Sequence, residues 1–265
     1  MLTMAEQVNI LTFKWGTRYS SDYVNRLHRG VEAHLSRPHR FVCVTDDPSG
    51  LEPGIETYPI PPKPSEMKNL YGYADKGWPF IYIKLMAFKP GFADLVGPTL
   101  FLDIDQVVTG GLDCFFDYLP GEFCIIRNWV EWRKTLFRKA PFCGNSSVFR
   151  FDAGAKSAYI YETFVREIDF AMDDRKFTTE QAYMTHAVGF DKVRFWPEEF
   201  VRSFKRSCMW PWPLNHFLMP RLKAGTHILC FHGHPWPEEA IAGYRGKHIN
   251  TWAKPCPWVK ELWEK

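Results

Sequence analysis

The first 45 residues alternate between strand-like and helix-like patterns, and this constrains the fold more than any other feature. Residues 8–13 (VNILTF) and 40–45 (RFVCVT) are apolar and rich in β-branched side chains, as strands are. Apolar residues recur every four positions between them, at Tyr23, Leu27, Val31 and Leu35. That spacing predicts a helix over 22–35 with one buried face. A strand, a helix and a second strand predict a βαβ unit with parallel strands.

The rest of the chain continues this alternation. Further strands are predicted at 55–60, 99–104, 122–127, 146–151, 192–196 and 227–232. Helices are predicted at 77–88, 153–172 and 178–188. We find no repeat and no linker, so we expect a single α/β domain over residues 1–265, with a mixed, mostly parallel sheet flanked by helices. Residues 207–265 are rich in Trp and Pro and are predicted to form an irregular cover over this domain.

Composition excludes several classes of protein. Hydrophobic residues make up 46% of the 265 residues and charged residues 24%, which is typical of a globular protein and excludes intrinsic disorder. The 33 Lys and Arg residues exceed the 30 Asp and Glu residues by only three, so we expect no nucleic acid partner. No apolar run reaches the roughly 18 residues that a transmembrane helix requires, so we expect no transmembrane segment.

The cysteines and the first residues bear on the cellular compartment. The seven cysteines are odd in number and scattered, and none forms a C-x-x-C pair, which favours buried thiols in a reducing compartment. The first residues lack the basic and apolar regions of a signal peptide. We therefore expect a cytoplasmic protein, with the inner face of the membrane as the alternative location.

The segment LFLDIDQVV at 100–108 is the best candidate for a chemical site. An apolar run typical of a buried strand is followed by Asp103 and Asp105. Ligands of open α/β sheets bind at the carboxyl ends of strands, and residues two apart on a strand share a face. Two carboxylates at this spacing repel each other unless a cation joins them. A divalent metal that also holds a diphosphate fits this pattern, and solvated turn residues are the alternative.

A second candidate follows the predicted strand 227–232. His232 and Gly233 lie at its end, where an imidazole could ligate a metal and a glycine could let the backbone approach a phosphate. A histidine beside two aspartates suits Mn²⁺ better than Mg²⁺, which remains the alternative metal. His234 competes with His232 for this role, and a lone histidine is usually structural.

These residues carry a resemblance that spans about residues 9–236. The chain resembles nucleotide-sugar-dependent glycosyltransferases of the GT-A fold, in particular the retaining lipooligosaccharide galactosyltransferase and glycogenin type, and a bacterial group of such proteins. The D-x-D formed by Asp103 and Asp105 is the most specific match. The other matching segments are TFKWGTRYS at 12–20, FIYIKLMAF at 80–88, NSSV at 145–148, TTEQAYMTH at 178–186 and FHGHPWP at 231–237.

The resemblance implies a role for each matched residue. It places Tyr19 over the nucleotide base with Thr12 and Lys14 nearby, and it places Lys84 at the diphosphate. It assigns Asp105 and His232 to the metal and Asp103 to the ribose or the metal. The residues that it places at the donor sugar are Asn145, Glu180 and Gln181. Tyr19 as an ordinary loop aromatic, Lys84 as a surface charge and Glu180 as a solvated helix-start residue are the structural alternatives.

One departure from the family pattern concerns the diphosphate. The family has a lysine before Pro-Trp, where this chain has His234. Either His234 or Lys205 must therefore contact the diphosphate, or the site binds phosphate less well. The motifs leave the retaining or inverting outcome open.

The resemblance also implies the ligands. We expect Mn²⁺ or Mg²⁺, a nucleoside-diphosphate sugar with UDP as the expected nucleotide, and a carbohydrate or glycolipid acceptor. The loops at 14–21 and 128–144 should decide the base and the sugar. Trp210–Trp212 and Trp236 could form an acceptor platform, pack in the core or settle on a membrane surface.

Two other functions compete with glycosyl transfer. A phosphatase of the haloacid dehalogenase type would use Asp103 as nucleophile, Asp105 as acid and base, and Asp173-Asp174 to hold Mg²⁺. That motif normally follows the first strand, whereas a complete βαβ unit precedes it here. A non-catalytic sugar-binding protein with the same fold is the second alternative.

Overall fold

The structure is a computed structural model that describes residues 7–62, 81–129, 143–171, 177 and 179–264. Ten strands lie in these residues: β1 (Val8–Lys14), β2 (His39–Thr45), β3 (Ile55–Pro59), β4 (Gly97–Leu102), β5 (Gln106–Val108), β6 (Cys124–Arg127), β7 (Gly144–Ala153), β8 (Arg194–Phe195), β9 (Val201–Ser203) and β10 (Ile228–Cys230). Their helices are α1 (Ser21–His34), α2 (Cys114–Asp117), α3 (Ala158–Arg166), α4 (Ile168–Ala171), α5 (Glu180–Val188), α6 (Pro237–Ala242) and α7 (Pro257–Trp263). Tighter 3₁₀ turns cover Ile81–Phe88, Phe92–Asp94, Leu214–His216 and Ile249–Thr251, and a π-helical turn covers Phe204–Cys208.

Seven strands form the main sheet in the order β3-β2-β1-β4-β7-β6-β8. The predicted βαβ unit is present, since β1 pairs in parallel with β2 and also with β4. Strand β7 runs antiparallel to both β4 and β6, so the sheet is mixed and mostly parallel, as the sequence predicts. Every residue of β1 is buried, which is expected for a central strand covered on both faces.

Two apolar clusters cover the main sheet. One contains α1, α7 and the residues around β5 and β10, and the other contains the turn Ile81–Phe88 with α3 and α5. All residues from Tyr82 to Phe88 are buried, which explains why this turn has no polar face. Layers on both sides leave the ends of the parallel strands as the accessible edge of the sheet.

A second, three-stranded sheet has the order β5-β10-β9. It joins the segment just after the D-x-D to the last quarter of the chain, since Gln106 of β5 lies opposite Cys230 of β10. Strands β5 and β9 were not predicted, because strands of three residues carry no measurable alternation. The predicted irregular cover is wrong in part, because α6 and α7 are regular helices within it.

Other boundaries also differ from prediction. In the described residues, two shorter helices replace the long helix expected at 153–172. Strand β7 extends to Ala153, and the helical run is interrupted between α3 and α4. Ser157 stabilises the corner by donating to the carbonyl of Asp152 at 2.7 Å. The first residues of the helix expected at 77–88, Thr178 and Asp173-Asp174 lie outside the described residues.

A buried arginine joins β7 to the backbone of residues 115–122. The guanidinium of Arg150, on β7, donates to four backbone carbonyls, which belong to Phe115, Tyr118, Leu119 and Glu122. It also lies 5.5 Å from the ring of Trp196. Arg150 is therefore paired with backbone dipoles, of which the carbonyl of Phe115 is fully buried. All seven cysteines carry free thiols, and no helix within the described ranges is both long and apolar enough to cross a bilayer.

Candidate functional site

The acidic pair lies where β4 ends and the chain turns into β5. The backbone N–H of Asp103 donates to the carbonyl of Ser147 at 2.9 Å, which fixes the turn to strand β7. The amide of Gln106 donates to Oδ1 of Asp105 at 2.8 Å. Both carboxylates are partly exposed and line the same cavity, as the i, i+2 spacing predicts.

Lys84 is the cation nearest to this pair in the described residues. Its Nζ lies 2.8 Å from Oδ1 of Asp103 and 3.8 Å from Oε1 of Glu180, and it donates to the carbonyl oxygen of Ser146 at 3.2 Å. Burial lowers the pKa of the ammonium, but the charges of Asp103 and Glu180 outweigh burial and raise it. Lys84 is therefore a buried permanent charge rather than a surface lysine.

Asp105 carries an unfavourable negative charge. Burial, followed by the charge of Asp103, raises the pKa of its carboxyl to about 7. One lysine therefore leaves the acidic pair incompletely neutralised. An oxygen-preferring divalent cation fits this donor set, since it would offset both negative charges.

The cavity beside the acidic pair has a volume of about 230 Å³. Its lining residues come from the end of β1, the following loop and the acidic turn: Phe13, Lys14, Trp15, Arg18, Tyr19, Lys84, Asp103, Ile104 and Asp105. The predicted loop 14–21 therefore contributes Trp15 and Arg18, which the sequence analysis did not single out. Basic and aromatic residues directly after a strand were the signal for them.

Tyr19 belongs to an aromatic group at this cavity. Its ring lies 4.8 Å from that of Tyr23 and 5.9 Å from that of Trp236, and the Arg18 guanidinium lies 5.2 Å from the ring of Tyr19. Burial raises the pKa of the Tyr19 phenol to about 12, so it stays neutral. A flat ring held beside a guanidinium is suited to stacking against a nucleobase.

Thr12 and Lys14 differ in access to the cavity. Thr12 is fully buried, and its hydroxyl donates to the carbonyl of Leu102 at 2.7 Å, so in this structure it holds β4 in place rather than facing a ligand. Lys14 lines the cavity at the end of β1. Of the two predicted donor contacts, the structure gives only Lys14 a place at the cavity surface.

The three residues predicted at the donor sugar gather around β7. Asn145 accepts from the N–H of Ser147 at 3.1 Å, and Gln181 accepts from the N–H of Ser146 at 3.3 Å. Glu180 is buried and accepts from the hydroxyl of Ser146 at 2.5 Å. Their contacts in this structure support the strand that faces Lys84, and their roles at the sugar stay predictions.

His232 is not assembled with the two aspartates. Among the residues that the structure describes, no three His, Cys, Asp or Glu side chains are grouped to hold a metal. The Nε2 of His232 lies 2.6 Å from the hydroxyl of Ser203, and its ring stacks on Trp129 at 5.3 Å. Burial and the nearby charges of Lys205 and Arg206 lower its pKa to about 4. The antiparallel pairing of β10 with β5 sets Cys230 opposite Gln106, so the chain that leads to His232 runs alongside the acidic turn. The role of His232 as a metal ligand stays a prediction.

The two candidates for the diphosphate contact have different partners. The Nδ1 of His234 lies 2.7 Å from Glu239, and its ring stacks on Trp236 at 5.0 Å. The ammonium of Lys205 lies 3.7 Å from the position of a Cβ on Gly233, whose φ of 63° favours glycine. Burial, then the charge of Arg206, lowers the pKa of Lys205. Among the residues that the structure describes, Lys205 therefore has no carboxylate partner and lies beside a glycine backbone, whereas His234 is paired with Glu239.

A larger cavity of about 780 Å³ lies beyond Trp129. Its walls are mostly aromatic and apolar, with contributions from Tyr118, Ile126, Trp129, Phe195, Trp196 and Val201. Arg127, Glu198 and Arg206 provide charged groups at the same cavity. Trp129, on which the ring of His232 stacks, is part of this wall.

Comparison with solved structures identifies the architecture. The galactosyltransferase LgtC, solved with donor and acceptor sugar analogues, superposes with a TM-score of 0.60 over 97% of this chain and 95% of LgtC, at 13% identity. The chain has the fold of LgtC. The expectation of a GT-A glycosyltransferase fold is thereby confirmed, and the LgtC likeness covers nearly the whole length of both chains.

Two further glycosyltransferases share this fold over part of their length. GlyE of Streptococcus pneumoniae TIGR4 superposes with a TM-score of 0.54 over 86% of this chain and 56% of GlyE, at 13% identity. The bifunctional WbbM superposes with a TM-score of 0.51 over 89% of this chain and 47% of WbbM, at 13% identity. No protein-family model matches the sequence, and no curated protein matches it.

Proposed function

We propose that this protein transfers a sugar from a nucleoside-diphosphate sugar, with UDP as the expected nucleotide, to a carbohydrate or glycolipid acceptor. The observation that carries the proposal is the cluster of Lys84, Asp103 and Asp105 at an open cavity within a glycosyltransferase fold. The same fold disfavours the phosphatase alternative, because the acidic pair follows the fourth strand rather than the first.

Asp103 and Asp105 would hold a divalent cation. Bound there together with the donor, Mn²⁺ or Mg²⁺ would neutralise the charge that grows on the departing diphosphate. His232 would be the third ligand, and its Nε2 lies against the hydroxyl of Ser203 in this structure. Since the preference for Mn²⁺ rests on that histidine, both metals must be tested.

The protein's own cations would bind the rest of the diphosphate. Lys84 stays with Asp103 and Glu180, so we assign it to positioning the acidic pair rather than to the phosphates. Lys205 beside Gly233 fits the phosphate contact better than His234, which is paired with Glu239. Loss of one such aimed charge should slow turnover by ~10²–10³.

Aromatic side chains would bind the base and the acceptor. Tyr19 would stack on the base, with Arg18 and Trp15 beside it. The larger cavity, with Trp129 and Trp196 in its walls, fits an acceptor saccharide, because sugar rings pack on indole faces. Trp236 packs against Tyr19, which favours a place beside the base over one in an acceptor platform.

Calorimetry with UDP and with GDP, each with Mn²⁺, with Mg²⁺ and without metal, tests the proposal. We expect metal-dependent binding of at least one nucleotide, lost in Asp105→Asn and retained in Asp117→Asn, whose carboxylate is exposed. Absence of binding for every nucleotide and metal would overturn the transferase. Turnover of a panel of nucleotide sugars, followed by release of the free nucleotide, then separates an enzyme from a non-catalytic binding protein.

The competing phosphatase has its own signature. Hydrolysis of a simple phosphomonoester by the wild type, lost in Asp103→Asn, would support that alternative against ours.

A further inference from the structure

The aromatic wall of the larger cavity is held in place by contacts within the protein. Trp196 is buried, and its indole N–H donates to the carbonyl of Val148 on β7 at 3.2 Å. Its ring lies 6.0 Å from that of Tyr118, and the ring of Trp129 stacks on that of His232 at 5.3 Å. The cavity volume of about 780 Å³ lies within the range of small-molecule sites, which is roughly 300–1,000 Å³. These contacts form the wall without a ligand.

The charged groups that line this cavity are unbalanced. Arg127, at the end of β6, and Arg206, on the π-helical turn, both line it. Of the described residues in its lining, Glu198 alone carries a carboxylate, and this carboxylate already lies 3.2 Å from the guanidinium of Arg202. Arg206 has no ion pair within the residues that the structure describes. The lining therefore has an excess of positive charge.

Arg206 lies next to a second cation on the same turn. Its backbone N–H donates to the hydroxyl of Ser203 at 3.2 Å, which fixes the start of the π-helical turn. The side chain of Arg206 is exposed. Burial, then the charge of Arg206, lowers the pKa of the neighbouring Lys205. Because the two like charges repel each other, an anion bound beside them would relieve that repulsion.

Arg127 is positioned by an aromatic ring. Its guanidinium lies 4.8 Å from the centre of the Phe195 ring, which also lines the cavity. Guanidinium groups stack on rings with their flat face and bond carboxylate or phosphate oxygens along their edge. An arginine in this geometry is suited to hold an anionic group while the rest of the ligand packs on the aromatic wall.

We propose that the larger cavity binds a saccharide that carries an anionic group, either a carboxylate or a phosphate. The sugar ring packs on Trp129 and Trp196, and the anionic group binds the guanidinium of Arg206, with Arg127 as the second cation of the lining. On the proposed function, on which this assignment rests, the saccharide is the acceptor. A neutral saccharide would use the same wall but would gain nothing from the excess positive charge.

Ligand-observed NMR titration with matched saccharides tests the proposal. The probes are methyl galactoside with methyl galacturonide and galactose with galactose 6-phosphate, and the same pairs in the glucose series. We expect the acidic member of at least one pair to bind about fivefold more tightly or better at low salt, with the difference shrinking at high salt. The pair that shows it identifies the carboxylate or the phosphate. Equal binding within every pair, or no binding of any probe, would overturn the proposal.

Paired variants locate the contact. Arg206→Gln should remove most of the preference for the acidic probes and leave the neutral ones unchanged. Arg221→Gln is its matched control, since Arg221 is exposed and lies outside the lining. Trp129→Ala should weaken acidic and neutral probes alike, whereas Trp212→Ala, at a side chain that is 60% exposed, should not. A preference that survives in Arg127→Gln with Arg206→Gln would overturn the proposal.

The donor diphosphate is the competing anion at Arg206. Calorimetry of UDP with Mn²⁺ and with Mg²⁺ separates the two, because Arg206→Gln should bind the nucleotide as the wild type does. Weaker nucleotide binding by Arg206→Gln, with its preference for acidic saccharides intact, would assign the guanidinium to the donor and overturn the proposal. A wild type that prefers acidic saccharides but binds no nucleotide would support the anionic saccharide site and overturn only the sugar transfer.

Discussion

The ammonium of Lys84 lies 2.8 Å from the carboxylate of Asp103, and both groups lie at the point where β4 leaves the core. Lys84 comes from a turn that is buried on all sides, so the pair joins two layers of the fold. It also brings a permanent positive charge to a site that otherwise contains three carboxylates: Asp103, Asp105 and Glu180. The first predictions follow from this balance.

Removing the ammonium should destabilise the fold. Lys84→Met leaves Glu180 buried and facing Asp103 without a cation, so we expect a loss of about 3 kcal/mol in the free energy of unfolding. Urea unfolding measures it, with Lys89→Met as the exposed control. Adding Glu180→Gln to Lys84→Met should recover part of the loss, and an unchanged urea midpoint for Lys84→Met would contradict the prediction.

The carboxylate of Asp105 should destabilise the metal-free protein, and it should be required for ligand binding. Because burial and Asp103 raise the pKa of this carboxyl to about 7, its ionised form destabilises the metal-free protein above that pH. Asp105→Asn should therefore be as stable as the wild type or more stable at pH 8, and it keeps the acceptor for Gln106. The same variant should lose metal-dependent UDP binding in calorimetry. A large drop in melting temperature would make Asp105 structural.

The lowered pKa of His232 predicts that the free energy of unfolding depends on pH. Its pKa of about 4 in the fold lies below the roughly 6.5 of an unfolded chain, so the unfolded state binds more protons between these values. Stability should fall by up to about 3 kcal/mol as the pH drops from 6.5 to 4.

The change in the free energy of unfolding with pH is best measured by urea unfolding in the Asp105→Asn background. Asp105 titrates in the same pH range and changes the stability in the opposite direction. Adding His232→Gln should flatten the slope. An equal slope with and without His232 would show that this ring does not titrate as its surroundings indicate.

Tyr19 should contribute to nucleotide affinity through its ring. Tyr19→Ala should weaken UDP binding by roughly tenfold, since stacking of a base on an aromatic ring contributes about 1–3 kcal/mol. Tyr19→Phe keeps the ring and should bind nearly as well as the wild type. Equal affinity in all three proteins, measured by calorimetry with metal present, would place the base elsewhere.

Arg150 should matter chiefly for stability. Arg150→Met removes the guanidinium donor from four backbone carbonyls, of which that of Phe115 is fully buried, so we expect a loss of about 3 kcal/mol in the free energy of unfolding. Arg166→Met, at a side chain that is 67% exposed, should change it little. Because Tyr118 is one of the four partners and lines the larger cavity, the variant should also alter that wall.

The sequence predicted the parts of the fold whose side chains follow a regular period. The strands at 8–13 and 40–45 and the helix at 22–35 agree with β1, β2 and α1 within two residues, because each has one clear pattern of burial. Strands β5 and β9 and the helix α7 did not show such a pattern. Their places are set by pairing with distant segments, as Gln106 with Cys230, which local periodicity does not report.

The candidate site was predictable from the sequence only where its residues lie in one short segment. Asp103 and Asp105 share a cavity because they are adjacent on one turn. The contact of Lys84 with Asp103 crosses two layers, and only the resemblance to a known family pointed to it. His232 shows the limit of this reasoning, because strand pairing and the hydroxyl of Ser203 decide where its ring lies.

The pairing of Gln106 with Cys230 has a consequence for biosynthesis. During translation, the turn that contains Asp103 and Asp105 leaves the ribosome more than a hundred residues before β10 does. Until then, β5 lacks its neighbouring strand, and the turn is fixed on one side only. A nascent chain halted before residue 228 should therefore be unable to capture a nucleotide, even with both aspartates already synthesised.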